Sequence, residues 1–352
     1  MLSFVIPARN RPHELDETLR LLGSRRVNAD RREEVIVLDN ASDPPLEIPR
    51  ELPNGTPVYS DRIPINEGAA ARNRGVERAR GEWIVMLDDD SVPIAGDLAE
   101  LAARQPDDVA AVGGEILLPD GSREAGGVPE VIIGCGCLIR RQAFLEAGGY
   151  DPDFGYYAEE YDLCARFILS NMRITHSRGV RFLHRKVTSG RSMDLILGRL
   201  VRNNGWTIHR YSPTHLRESL ISSMIQRYRT IARRENALAG FEKGLAELER
   251  TIESQPTRTM SEAQWDRFSG EAAVREHLSE FLRKEGVERA RLFAPGKGAE
   301  IITRVIEESG VEINDNASRG IIGTISPGPM LDAMDADPDA VPPWQLEDQP
   351  AD

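Results

Sequence analysis

Asp88-Asp89-Asp90 follow the apolar run Trp83–Leu87 without a gap. Three carboxylates at the end of a buried strand repel one another unless a cation compensates them. Hard divalent ions such as Mg²⁺ or Mn²⁺ take oxygen ligands and commonly share them with substrate phosphates. The triplet therefore reads as a metal and diphosphate site, the plainer reading being an acidic loop in which Asp90 or Ser91 caps the next helix. Glu159 and Glu160 open a helix-forming stretch; acids there suit the helix dipole, or one of them serves as a general base. His184-Arg185-Lys186 and Arg191 follow a short β-run, Val180–Leu183. A histidine in that loop would complete a metal shell, and its cations would steady a leaving diphosphate. Asn66–Asn73 start a helix with small residues, from which Arg72 and Arg74 would reach phosphate or base.

Such groups need a scaffold that brings them together. Short β-rich runs (Leu2–Ile6, Glu34–Leu38, Val58–Tyr59, Trp83–Leu87, Val109–Val112, Gly136–Ile139) alternate with helical segments. The helices are expected over Pro12–Leu22, Ala69–Ala79, Ala95–Arg104, Arg141–Ala147 and Glu159–Leu169. That alternation predicts an α/β fold with a mostly parallel sheet covered on both faces. Ligands of such sheets sit at the carboxyl ends of the strands. Three strand exits, Pro7-Ala8-Arg9-Asn10, Asp39-Asn40-Ala41-Ser42 and Asp88-Asp89-Asp90, would converge there.

The chain has 352 residues, room for about two domains and a sizeable core. Lys+Arg number 44 against 57 Asp+Glu, a net charge of -13, which excludes an overall basic nucleic-acid binder. The longest near-continuous apolar run, Val131–Ile139, is far short of the roughly 20 residues of a spanning helix. With no basic leader before the first strand and an odd set of three cysteines, the expectation is a cytoplasmic protein. Cys135 and Cys137 read as small core residues rather than metal ligands. Residues 191–255 read as a helical extension; Arg191–Arg234 holds nine arginines against Asp194 and Glu218. That face is either solvated or a peripheral contact with an anionic membrane. Residues 256–328 are expected to form a small α/β appendage, structural or oligomerising, with Ala290–Phe293, helix Ala299–Glu308 and Val311–Ile313 around the Gly296-Lys297-Gly298 turn. Residues 329–352, acidic and proline-rich, are expected to be disordered.

The ordered set FVIPARNR, VIVLDNAS, NEGAAARNRG, ARGEWIVMLDDDSVP, CGCLIRRQAFLEAGGYDPDF, EEYDLCAR and FLHRK resembles the family 2 glycosyltransferases over about residues 2–190. The resemblance implies the GT-A fold, a Rossmann-like sheet that binds nucleoside diphosphate sugars, as a catalytic domain over 1–190. It implies a donor pocket of Pro7, Arg9, Asn10, Asp39, Asn66 and Arg72, with Asp39 on the base. Asp88-Asp89-Asp90 would be the D-x-D-type motif, Asp89 near the ribose and Asp90 on Mn²⁺ or Mg²⁺, with Asp88 and His184 completing the site. Lys186 and Arg191 would face the diphosphate. The family usually writes Glu-Asp where this chain has Glu159-Glu160, the second acid being the base. Glu160 takes that role, with Glu159 and Asp162 as alternatives. The activity implied is inverting, metal-dependent transfer from a UDP- or dTDP-sugar to a hydroxyl acceptor: a glycan, a lipid-linked glycan or a small molecule, in cell-surface glycan assembly. A non-catalytic sugar-nucleotide binder and a nucleotidyltransferase are the competing readings, and the latter wants a glycine-rich loop that Pro7–Pro12 lacks.

Overall fold

The structure is a computed structural model that describes residues 1–26, 32–186 and 192–346. Strand β1 (Leu2–Ala8) is buried throughout. Its two-residue period sends Leu2, Phe4 and Ile6 into one apolar cluster and Val5 into another. The same division holds in β2 (Glu33–Asn40) and β4 (Trp83–Met86), so the sheet separates two cores. Along the chain, α1 (Pro12–Ser24), β3 (Val58–Ile63) and α2 (Ala71–Arg78) connect these strands. There follow β5 (Ser91–Ala95), α3 (Leu98–Arg104), β6 (Val109–Leu117), β7 (Cys137–Arg140), α4 (Arg141–Glu146), α5 (Glu159–Leu169) and β8 (Arg173–His184).

Among the described residues these eight strands form one sheet of order β3-β2-β1-β4-β7-β6-β8-β5. The pairs β1–β2, β1–β4, β2–β3 and β6–β8 are parallel, while β7 and β5 pair antiparallel with their neighbours. The expected mostly parallel α/β sheet is therefore present. Two elements differ from expectation. Ser91–Ala95 is a strand against the far end of β8, and the following helix starts only at Leu98, capped by Asp97.

The helical extension consists of α6 (Met193–Tyr211), α7 (Arg217–Arg234) and α8 (Leu238–Thr251) around its own apolar cluster. Helices α6 and α8 touch backbone to backbone. A Cβ on Gly240 would come 2.0 Å from Asp194 O, and one on Gly244 would come 2.1 Å from Gly198 O. Among the described residues no helix is long and apolar enough to cross a membrane.

The C-terminal part comprises α9 (Glu262–Ser269), α10 (Glu271–Glu285), β9 (Arg289–Phe293), α11 (Ala299–Glu308), β10 (Glu312–Ile313), β11 (Gly320–Ile322) and α12 (Pro327–Ala336). Its three parallel strands run in the order β10-β9-β11. Leu278, Ile302 and Ile321 belong to the same apolar cluster as Val5, Ile84 and Phe167, so this unit shares a core with the large sheet. The expectation of a disordered tail from residue 329 is corrected over 329–346. Met330, Leu331 and Trp344 are buried, the Trp344 indole N–H donates to Ile325 O at 3.1 Å, and its ring meets His176 edge-on. The acidic composition concealed an apolar face, and Asp332 and Asp335 find a partner in Arg123. Residues 347–352 lie outside the described residues. Trp344→Ala is expected to cost about 3–5 kcal/mol, as buried Trp truncations do. Urea denaturation checks this, and a disordered tail would give no change.

Candidate active site at the strand ends

Beyond β4 the chain turns so that Asp88 N–H donates to Ser91 Oγ at 2.9 Å. Each acid of the triplet has a partner. Asp88 accepts from Arg72 and from the Tyr156 hydroxyl at 3.3 Å. Arg11 spans the other two, at 2.6 Å from Asp89 and 3.0 Å from Asp90. Burial nonetheless pushes Asp89 up to about 7, with Arg11 opposing. Arginines thus supply compensation that the sequence alone assigns to a metal.

His184 ends β8 and is buried. Its Nδ1 donates to Glu124 at 2.9 Å, and its Nε2 lies 3.3 Å from Asp90 Oδ1 in a geometry that makes no hydrogen bond. Burial disfavours charge on the ring, but contacts with Asp90, Cys135 and Glu124 outweigh it and hold the imidazolium up to about 12. Cys135, expected as core, is buried but lines the cleft, its Sγ 3.7 Å from His184 Nδ1. Ligand atoms of Asp88, Cys135 and His184 lie within 4.8 Å of one another. An orphaned imidazole nitrogen facing a carboxylate in this donor set fits a divalent cation.

Glu159 and Glu160 open α5 behind a left-handed turn, with φ of 68° at Gly155, 73° at Tyr157 and 64° at Ala158. Asn203 of α6 holds that turn by donating to Phe154 O, Tyr156 O and Tyr157 O at 3.0, 3.3 and 2.6 Å. Glu160 lines the cleft and accepts from Gly134 N–H at 3.1 Å. Glu159 is buried, and its Oε2 has no hydrogen-bond partner among the described residues. Burial raises both carboxyls above the ordinary range, and in Glu159 the charge of Glu160 adds to it.

Asp162 does not face the cleft. Two residues along a helix turn the side chain by about 200°, to the opposite side from Glu160. There it accepts from Arg166 at 2.7 Å, Arg210 at 2.8 Å and Tyr211 at 2.7 Å. The alternative that makes it the base is thereby corrected to a structural role, because its oxygens are taken by buried donors. Asp162→Ala is expected to cost about 1–3 kcal/mol by taking the acceptor from Arg166 and the buried Tyr211 hydroxyl, while Arg210 keeps Asp151 at 2.7 Å. Denaturation midpoints check this, and a selective loss of turnover at unchanged stability would contradict it.

The cleft has a volume of about 1030 Å³ and is lined by Pro7, Arg9, Asn66, Arg72, Asp88, Asp89, Asp90, Glu159, Glu160, His184 and Lys186 among others. Arg74 lies on the same wall, paired with Glu67. Asp39 and Asn10 are not on that wall. Asp39 is buried and caps the turn after β2, accepting from Ser42 N–H at 2.9 Å and Leu46 N–H at 3.2 Å. Asn10 locks the loop after β1 onto that turn through Ser42 and Asp43. Asn40 lines the cleft instead. Arg191 lies outside the described residues. Sequence reasoning missed Arg11, Glu124 and Tyr156, and named Asn40 only as part of a converging strand exit. Arg11 stands within the motif after β1, whereas Glu124 lies in an irregular segment with no pattern to mark it.

The sheet order, with an acidic strand exit facing an acidic helix start, is that of a GT-A glycosyltransferase fold. Residues 3–132 match the model for glycosyl transferase family 2. An uncharacterized glycosyltransferase of Haemophilus influenzae is 35% identical over 91 residues, 26% of this chain and 29% of that protein. The chain thus spans under a third of that relative's length. The crystal structure of GalNAc-T7 with UDP, GalNAc and Mn²⁺ superposes with a TM-score of 0.50 at 16% identity, over 72% of this chain and 57% of that one. The structure of S. aureus TarS 1-349 with UDP-GlcNAc gives a TM-score of 0.48 at 13% identity, over 88% and 92%.

Proposed function

We propose that the chain transfers a glycosyl group from a nucleoside diphosphate sugar, a UDP- or dTDP-sugar, to a hydroxyl acceptor with inversion at the anomeric carbon. The observation that carries this reading is the meeting of two chemistries in one cleft. Asp88, Asp90 and His184 form an oxygen- and nitrogen-rich corner, and Glu160 is held by Gly134 on the same wall. Pro7, Arg9, Asn66 and Arg72 would hold the nucleotide. Asp90 and His184, with Asp88 in reach, would hold Mn²⁺ or Mg²⁺, which supplies charge neutralisation at the diphosphate.

Glu160 would accept the proton of the acceptor hydroxyl while that oxygen bonds to the anomeric carbon. On the opposite face the bond from that carbon to the diphosphate oxygen breaks, and its electron pair leaves with the nucleoside diphosphate. Lys186 would lie near the charge that develops there, while His184, deprotonated at Nε2, would serve the metal. Raising the carboxyl's basicity by burial suits a base that works near neutrality.

A thermal-shift screen of nucleoside diphosphates with and without Mn²⁺ tests the reading, since ligands of the native state raise its melting temperature by mass action. Donor hydrolysis with Mn²⁺ separates an enzyme from a mere sugar-nucleotide binder. No metal-assisted stabilisation by any nucleotide would overturn the proposal.

A further inference from the structure

The diphosphate end of the cleft depends on a residue from an irregular segment. Glu124 lies between β6 and β7, with its side chain 12% exposed. Its carboxylate accepts from His184 Nδ1 at 2.9 Å and from Lys186 Nζ at 2.8 Å. One acid therefore ties together the two cations at that end of the cleft. With Nδ1 engaged, the imidazole is turned so that Nε2 faces Asp90.

The segment is gripped from behind by the C-terminal unit. Ser326 Oγ accepts from Gly126 N–H at 3.2 Å and donates to Gly126 O at 2.6 Å. Arg123 reaches Asp332 at 2.8 Å and Asp335 at 2.7 Å. Lys297 Nζ donates to Gly127 O at 3.2 Å. A Cβ on Gly328 would come 2.3 Å from Glu124 O, so the two backbones are in contact at the residue in question.

We propose that Glu124 is a positioning residue that aims His184 and Lys186 at the diphosphate, and that the C-terminal unit is the brace that keeps it there. This rests on the glycosyltransferase reading of the cleft. Carboxylates that hold the far nitrogen of a metal-binding imidazole fix its orientation, and their loss costs about 10–100-fold in metal affinity or activity. The brace ends in partly exposed ion pairs, which contribute little to global stability. Cutting them therefore separates aim from folding.

The test uses the full chain with Glu124→Gln, Glu124→Asp and the remote pair Asp332→Asn with Asp335→Asn. The probes are Mn²⁺ alone and Mn²⁺ with UDP, followed by electron paramagnetic resonance of unbound Mn²⁺ beside ligand-free melting curves. E124Q is expected to weaken Mn²⁺ uptake in the presence of UDP by about 10–100-fold. E124D recovers part of it, and the remote pair weakens uptake in the same direction at an unchanged melting temperature. Wild-type uptake by both E124Q and E124D overturns the positioning role; wild-type uptake by the remote pair overturns the brace. Should E124Q fold poorly, E124D and the remote pair still decide. If the unaltered chain shows no Mn²⁺-assisted uptake of UDP, the glycosyltransferase reading fails first and the proposal falls with it.

Discussion

Replacing Glu160 by Gln is expected to lower turnover by about 10²- to 10⁴-fold, the usual contribution of a positioned base, while nucleotide binding stays near wild type. The amide keeps the size of the side chain and an oxygen for Gly134 N–H, which holds Glu160 at 3.1 Å, but accepts no proton at working pH. The pH profile carries a second signature. Base chemistry needs the ionised form, and burial raises this carboxyl above the ordinary glutamate value of about 4.3. Activity should therefore rise with pH through a limb displaced upward, and that limb should vanish in the variant. Steady-state kinetics with separate UDP titrations check both. Near-normal turnover in E160Q would move the base to Glu159, whose buried Oε2 has no partner among the described residues.

The second large effect is expected at Asp90. Asp90→Asn should abolish Mn²⁺-assisted nucleotide uptake and lower transfer on the order of 10³-fold, comparable to removing a principal stabiliser of developing charge. Arg11 retains Asp89 at 2.6 Å, so the ligand-free protein should melt close to wild type. What disappears is the rise in melting temperature on adding UDP with Mn²⁺. Calorimetry with and without the metal separates the two contributions. Full metal-assisted uptake in the variant would place the ion on Asp88, Cys135 and His184 instead.

The parts of the fold that were legible share one property. β1, β2 and β4 are apolar on both faces, a pattern that only a strand buried between two cores needs. β5 was hidden because Ser91–Ala95 contains Pro93 and buries only its first three residues. β8 was legible only at its end, since Arg173–His184 interleaves arginines and histidines that find partners across the sheet, such as Arg181 on Glu115. At the site, residues fixed by strand exits and helix starts were found. Asp39 and Asn10 sit at a strand exit too, but local hydrogen bonds to the turn claimed them, which composition does not disclose. Glu124 lies 60 positions from the histidine it holds, in a segment without periodicity. Only the folded chain brings them together. The tail erred in the opposite direction, because an average over acids and prolines conceals a few well-placed apolar side chains.

The contact between α6 and α8 constrains how this protein can be re-engineered. Asn203, which shapes the turn ahead of Glu160, is carried on α6, and against it Gly240 and Gly244 of α8 leave no room for one methyl group. Variant libraries aimed at new acceptors would waste their diversity along that seam. Diversity is better placed on cleft-lining side chains outside that seam, such as Tyr157.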